Sequence, residues 1–320
     1  MLSMKSMPHI TDYEHGICAI DSGFGRPQLA AIHLIVEGDR AALVDTGTNA
    51  SLPIVLDALK ARGLSPAQVE YVILTHIHLD HAGGAGALMR ALPDARLTVH
   101  PRGARHMVDP ARLVAGTIAV YGEAQARRMY GDILPISAGR ILETPEGTTI
   151  RLGERELTFL DTPGHARHHV CIRDGLSGHV FAGDMFGLSY RELDVDGRQF
   201  VFPTTTPVQF EPAAMHASVA RLLALRPEAI YVTHYGRVRD VPRLGADLHR
   251  LIDAHVAAAL RHRDAGAERH GRIKADIVEI LLGEAQRQGW RMAPDGLLRL
   301  MAVDIELNAQ GLGAWLDGGA

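Results

Sequence analysis

A chain of 320 residues with 47% hydrophobic content is long enough for one large folded domain, or for one domain with a smaller appendage, and is ordinary for a globular protein. Its 33 basic and 37 acidic residues leave a formal charge of -4, so it lacks the basic excess of a dedicated binder of long nucleic acids or anionic membranes, and a small-molecule substrate is expected. Two cysteines, Cys18 and Cys171, cannot build a disulfide framework, no apolar run approaches the ~18 residues of a membrane span, and MLSMKSMPHI lacks a leader's apolar core, so a cytoplasmic location is expected.

The segment AAIHLIVEGDRAALVDTGT predicts two strands joined at Glu37-Gly38-Asp39 and running into Asp45-Thr46-Gly47. SLPIVLDALKARG follows, with Ser51 as a cap candidate, Pro53 early and Gly63 at the stop, which predicts one short helix. VEYVILTH reads as a buried strand, AGGAGALMRALPDA as a helix and ARLTVHP as another strand, the alternation of a layered α/β protein. Residues 101–140, rich in Arg, Tyr and small residues, interrupt the rhythm and predict a lid or insertion. Two hairpin-like pairs come next, TIRLGERELTFLDTPGH and HVCIRDGLSGHVFAGD. The helix EPAAMHASVARLLAL then leads into the strand AIYVTHYG. From residue 241 the pattern is helical, so the expected organisation is a catalytic domain over 1–240 and a helical C-terminal extension over 241–320 packed on it.

The chain holds 18 histidines, and LTHIHLDHAGG crowds three of them with an aspartate at the end of the VEYVIL strand. Positions i and i+2 of an extended chain project to one side, so His76 and His78 converge without long-range help. A turn into the following helix near Ala82 swings Asp80 and His81 towards a neighbouring point. Three more ligand types stand at apolar strand ends: His165 in DTPGH, Asp184 in FAGD and His234 in VTHYG. Such ends are where ligands gather in layered α/β proteins. The most economical division gives His76, His78 and His165 to one metal ion, Asp80, His81 and His234 to a second, and Asp184 to both. Zinc suits imidazole and carboxylate donors, with iron or manganese as alternatives.

With Asp45 in VDTG added, these elements in this order resemble the metallo-β-lactamase-fold superfamily, over residues 30 to about 240. The resemblance implies a four-layered αββα sandwich with the metal site on one edge, and it implies that Asp45 hydrogen-bonds a metal-bound histidine and fixes its ring. It also implies a hydrolase in which a hydroxide between two metals attacks a lactone, thioester, ester or amide of a small anionic metabolite, with Asp80 orienting the hydroxide and carrying a proton to the leaving group. On the same scaffold a mononuclear iron persulfide dioxygenase and a hydrolase of small phosphodiesters stand as alternatives, and a non-catalytic metal sensor ranks below them because all seven ligand types are kept.

Substrate contacts are expected from Arg105 in the lid-like segment, from His168 and His169 just after His165, and from Tyr190 and Tyr235 as donors to a developing oxyanion. Cys171, inside HVCI, is expected to be a packing residue and not a nucleophile. Gly83, Gly84 and Gly86 form neither a dinucleotide nor a phosphate loop and are expected to allow close backbone approach. The C-terminal helices are expected to pack on the main domain, with a homodimer as a further expectation.

Overall fold

Successive side chains of a strand point to opposite faces, and in this protein each face has its own apolar partner. The computed structural model describes residues 9–318. Its first sheet has seven strands in the order β1 (Ile10–Asp12), β2 (Ile17–Asp21), β3 (Ala31–Glu37), β4 (Arg40–Val44), β5 (Val69–Ile73), β6 (Arg96–Val99) and β7 (Ile141–Glu143). β1 to β4 run antiparallel and β4 to β7 parallel. The second sheet has six strands, ordered β13 (Gly236–Val238), β12 (Ile230–Val232), β11 (Val180–Gly183), β10 (Val170–Asp174), β9 (Arg155–Asp161) and β8 (Thr149–Leu152), antiparallel except for the β11–β12 pair.

Ile35, Ala42, Val44 and Ile73 of the first sheet meet Leu157, Phe159, Val170, Ile172, Phe181 and Tyr231 of the second in one buried layer. The intervening residues face outwards. Ile32, Leu34, Leu43 and Val72 pack with Val55, Leu59, Leu88 and Met107 from α1 (Leu52–Ala61), α3 (Ala85–Ala91) and α4 (Pro101–Val108). Cys171, Ala182, Ile230 and Val232 pack against α7 (Pro212–Ala224), α8 (Val241–Arg261), α9 (Arg269–Gln288), α10 (Pro294–Leu300) and α11 (Ala302–Leu316). The result is four layers, helix–sheet–sheet–helix, with the C-terminal helices thickening the second outer layer. Among the described residues no helix is long and apolar enough to cross a membrane.

Local chemistry departs from the expected helix start at one point. Ser51 does not cap α1 with its side chain; its hydroxyl donates to the Ser22 carbonyl at 2.7 Å and accepts from Thr48 N at 3.2 Å, tying the β4–α1 loop to the N-terminal strands. The chain after His78 enters a single turn, α2 (Leu79–Ala82), and then α3, so the helix expected from Ala82 is in fact two short pieces. The three-residue strands β1, β7 and β13 are too short for patterning to reveal them, and β2, buried along its whole length, carries no alternation. Residues 101–130 form three helices between β6 and β7: α4, α5 (Ala111–Tyr121) and α6 (Glu123–Tyr130).

Candidate metal centre

Five strands, β4, β5, β9, β11 and β12, bring their carboxyl ends to one edge of the sandwich, and each is followed there by a candidate residue: Asp45, His76, His165, Asp184 and His234. His78 follows two residues after His76, and the turn of α2 presents Asp80 and His81. His78 Nδ1 lies 3.0 Å from His76 Nε2 and 3.0 Å from His165 Nε2. His234 Nε2 is 3.3 Å from Asp80 Oδ2, and His81 Nε2 is 3.6 Å from the same oxygen. Asp184 reaches both trios, with Oδ2 at 3.4 Å from His165 Nε2 and Oδ1 at 3.3 Å from His81 Nε2 and 3.6 Å from His234 Nε2. The donor atoms within each trio lie within 4.8 Å of one another.

Hydrogen bonds on the far side of the rings aim these atoms. His165 Nδ1–H donates to the Thr204 carbonyl at 3.0 Å and His234 Nδ1–H to the Leu29 carbonyl at 2.7 Å, which leaves each Nε2 lone pair pointing inwards. His81 Nδ1–H donates to Asp45 Oδ2 at 2.8 Å. Asp45, itself buried at a left-handed φ of 62°, also accepts from Thr75 N at 2.9 Å, from the Thr75 hydroxyl at 3.0 Å and from the Thr233 hydroxyl at 2.8 Å. Thr75 and Thr233 were not singled out from the sequence. The signal was present, since each directly precedes a candidate ligand in a Thr-His pair.

The electrostatics divide the cluster. Burial, then the neighbouring imidazoles, hold the His76 and His78 pKa values well below the ordinary histidine range, so these rings are neutral donors of lone pairs. Burial opposes charge on His81 and His234 as well, but the Asp184 and Asp80 carboxylates outweigh it, raising His81 well above its ordinary value and His234 to about 9. Burial works against ionised Asp80 and Asp184 too; His81 and His234 overcome it and hold both carboxyls well below the usual range. His81 Nε2 and Asp184 Oδ1 are buried without a hydrogen-bond partner among the described residues. A buried polar atom left unpaired is costly, and inward lone pairs on neutral imidazoles cannot satisfy one another. Divalent cations would pair all of these atoms at once, and the imidazole and carboxylate donor set suits them.

A cavity of about 1150 Å³ opens over this edge, lined by His78, Asp80, Asp184 and His234 and roofed by α5, α6 and the α10–α11 junction. His168 and Tyr190 line it. The Tyr190 hydroxyl donates to the Asp304 carboxylate of α11 at 3.1 Å, and the Arg26 guanidinium lies 4.3 Å over the Tyr190 ring, so two residues not foreseen from the sequence, Arg26 and Asp304, hold it. Arg105 lines a second, adjoining cavity. Two expected substrate contacts are corrected. His169 is fully buried behind the site, its Nδ1 paired with the Thr162 hydroxyl at 3.1 Å and its Nε2 accepting from Asp184 N at 3.3 Å, because it sits on the strand-facing side of the turn into β10. Tyr235 is buried against Tyr13, Ala19 and Ala31, away from the cavity, because the tight turn between β12 and β13 directs it towards the N-terminal strands.

Glycine makes the close approach possible. Gly183 ends β11 at φ +50°, and a Cβ there would lie 2.6 Å from Thr75 Oγ1 and 2.8 Å from His169 Nε2. Gly183→Ala is expected to cost about 2–4 kcal/mol of stability from left-handed strain and overpacking and to weaken metal binding by displacing Asp184. Chemical denaturation of the metal-free protein, followed by metal titration, measures both. Gly84 is equally constrained, since its Cβ would meet the Thr48 and Thr46 carbonyl oxygens at 2.6 and 2.8 Å.

Fold and site together define a four-layered metal-binding protein whose candidate ligands gather at one edge of the sandwich, from strand ends and the turn of α2. The chain belongs to the metallo-beta-lactamase superfamily, whose family model matches residues 25–234, more than half of its length. It is 28% identical over 238 residues to a hydroxyacylglutathione hydrolase of Xanthomonas axonopodis pv. citri, covering 74% of this chain and 71% of that one. It is 29% identical over 187 residues to the acyl-coenzyme A thioesterase MBLAC2 of Gallus gallus, covering 49% of this chain and 57% of that one. In fold it is similar to a metallo-beta-lactamase family protein from Thermus thermophilus, with a TM-score of 0.66, 20% identity, and coverage of 95% of this chain and 93% of that one.

Proposed function

We propose that this metallo-hydrolase cleaves a thioester of a small metabolite at a pair of divalent cations, zinc being the expected metal. The observation that carries the reading is Asp184, whose two oxygens face separate trios of donors at the floor of a substrate-sized cavity. His76, His78 and His165 would hold one cation, Asp80, His81 and His234 the other, and Asp184 both. The relatives named as a hydroxyacylglutathione hydrolase and an acyl-coenzyme A thioesterase support the thioester as the bond cleaved.

When bound, such cations supply a water acidified towards neutrality and a Lewis acid for the acyl oxygen. The chain's own groups do the rest. His165 and His234 are pre-aimed by backbone carbonyls, so the donors need no reorganisation during turnover. Asp80 lines the cavity and uses Oδ2 towards His81 and His234, which leaves its second oxygen to accept a proton and pass it to the leaving thiolate. Neither cysteine serves as a nucleophile: both are buried, and burial pushes the Cys18 thiol up to about 11 and the Cys171 thiol up to about 12.

Purified protein with its metal content quantified is expected to hydrolyse thioesters ahead of lactones, oxygen esters and β-lactams, and to lose at least ~100-fold of that rate on chelation, with recovery on adding zinc. Oxygen uptake with glutathione persulfide in the absence of thioester turnover would overturn the reading.

A further inference from the structure

The larger cavity is unusually apolar for one that ends on charged donors. Helix α5, ARLVAGTIAVY, contains no buried residue, and its Leu113 and Val120 face the cavity. Val208 and Val303, two of the few large apolar side chains that stand exposed, at 49% and 61%, line the same space. A half-buried apolar helix face and two exposed valines lining one space beside the proposed centre suit an apolar occupant.

The neighbouring cavity, of about 750 Å³, is different in character. Arg102 and Arg105 line it, and among the described residues neither forms an ion pair with a carboxylate; Arg102 Nη1 donates to the Arg167 carbonyl at 3.0 Å and Arg105 Nε to His106 Nε2 at 3.2 Å. Its one acid, Glu211, is engaged as the cap of α7, accepting from Ala213 N at 3.3 Å and Ala214 N at 2.6 Å. Arg112, Arg128 and Arg299 border the larger cavity and also lack a carboxylate partner among the described residues. His106, His168 and Gln209 line both cavities, so the two spaces adjoin across these residues. The His168 ring is 6.0 Å from that of His78, and its Nδ1 is without a partner among the described residues.

We propose that the substrate is an acyl thioester with an apolar acyl chain lying along α5 and α11 and a phosphorylated thiol half passing His168 to Arg102 and Arg105. This rests on the thioester reading above and adds which two halves the thioester joins. Five guanidiniums without a carboxylate partner among the described residues, around the adjoining cavities, suit the several negative charges of phosphates better than a peptide thiol whose own ammonium offsets one of its carboxylates. His168 lines both spaces, at the point where the uncharged amides of the thiol half would cross.

The test compares octanoyl-coenzyme A, octanoyl-pantetheine, which has the same thioester and no phosphate, and S-octanoyl-glutathione, on metal-loaded protein. Removing the phosphates is expected to lower kcat/KM about tenfold or more in the native protein, mainly through KM, and less than twofold in R102A/R105A. Shortening the acyl chain from octanoyl to butanoyl is expected to lower kcat/KM roughly three- to fourfold per methylene, and Val303→Glu to flatten that dependence. Equal kcat/KM for intact and truncated thioesters in the native protein, or an absence of chain-length dependence, overturns the proposal while leaving thioester hydrolysis standing. Absence of turnover on every thioester removes the reading beneath it, and the proposal falls with it.

Discussion

Asp184→Ala is expected to lower thioester hydrolysis roughly a thousandfold, about 4 kcal/mol of barrier, and to reduce bound metal from two equivalents to one or fewer. Among the described residues no other carboxylate lies at ion-pair distance from both trios, with His165 on one side and His81 and His234 on the other. Deleting it removes the charge that would hold two cations close together in the proposed centre, and leaves His234 with Asp80 alone and His81 with Asp80 and Asp45. Asp184→Asn separates charge from shape, since the amide keeps the volume and one acceptor but loses the anion. It is expected to retain the melting temperature while losing most of the metal and activity. Metal quantification beside kcat/KM decides the matter, and an alanine variant with full metal content and activity within threefold of the native enzyme would show that the bridge is not used.

The second large effect is expected at Asp45, which touches no substrate. Its carboxylate is 1% exposed and accepts four hydrogen bonds, from Thr75 N, the hydroxyls of Thr75 and Thr233, and His81 Nδ1. Asp45→Ala leaves buried donors unpaired and His81 free to rotate, so stability is expected to fall by about 3–5 kcal/mol and metal affinity by about 10- to 100-fold. Asp45→Asn is only a partial rescue, because one amide oxygen cannot serve four donors and the NH2 group confronts one of them. Urea denaturation of the metal-free protein isolates the structural part, and competition with a chromogenic chelator measures the rest. A variant within 1 kcal/mol of native stability and with unaltered affinity would mean that His81 is oriented by something else.

The ligand-bearing stretch was legible because its information is local. Two histidines at i and i+2 beyond an apolar strand, then an acid and a histidine in the next turn, place four donors near one point whatever the rest of the chain does. The apolar runs of β3, β4 and β10 were equally local, since strands buried on both faces read as continuous apolar stretches. What stayed hidden depends on which surfaces meet. His168 and His169 are adjacent in the chain, yet one lines both cavities and the other packs behind Asp184; only the turn into β10 decides between them. Tyr235 follows a candidate ligand directly and still faces away from it. Asp304 and Arg26 carry no motif at all, and they reach the cavity because α11 and the loop before β3 fold over the same edge.

The sequence by itself determined that a strand end would carry convergent imidazoles and carboxylates, since covalent spacing and backbone geometry place them within a few ångströms. Only the tertiary structure decided that five strand ends share one edge, that Thr75, Thr233 and Asp45 lock one ring, and that an apolar cavity and an arginine-lined one lie side by side at His168. Those outcomes are set by the burial of faces drawn from distant segments, a free energy that exists only when the sheets and helices have come together.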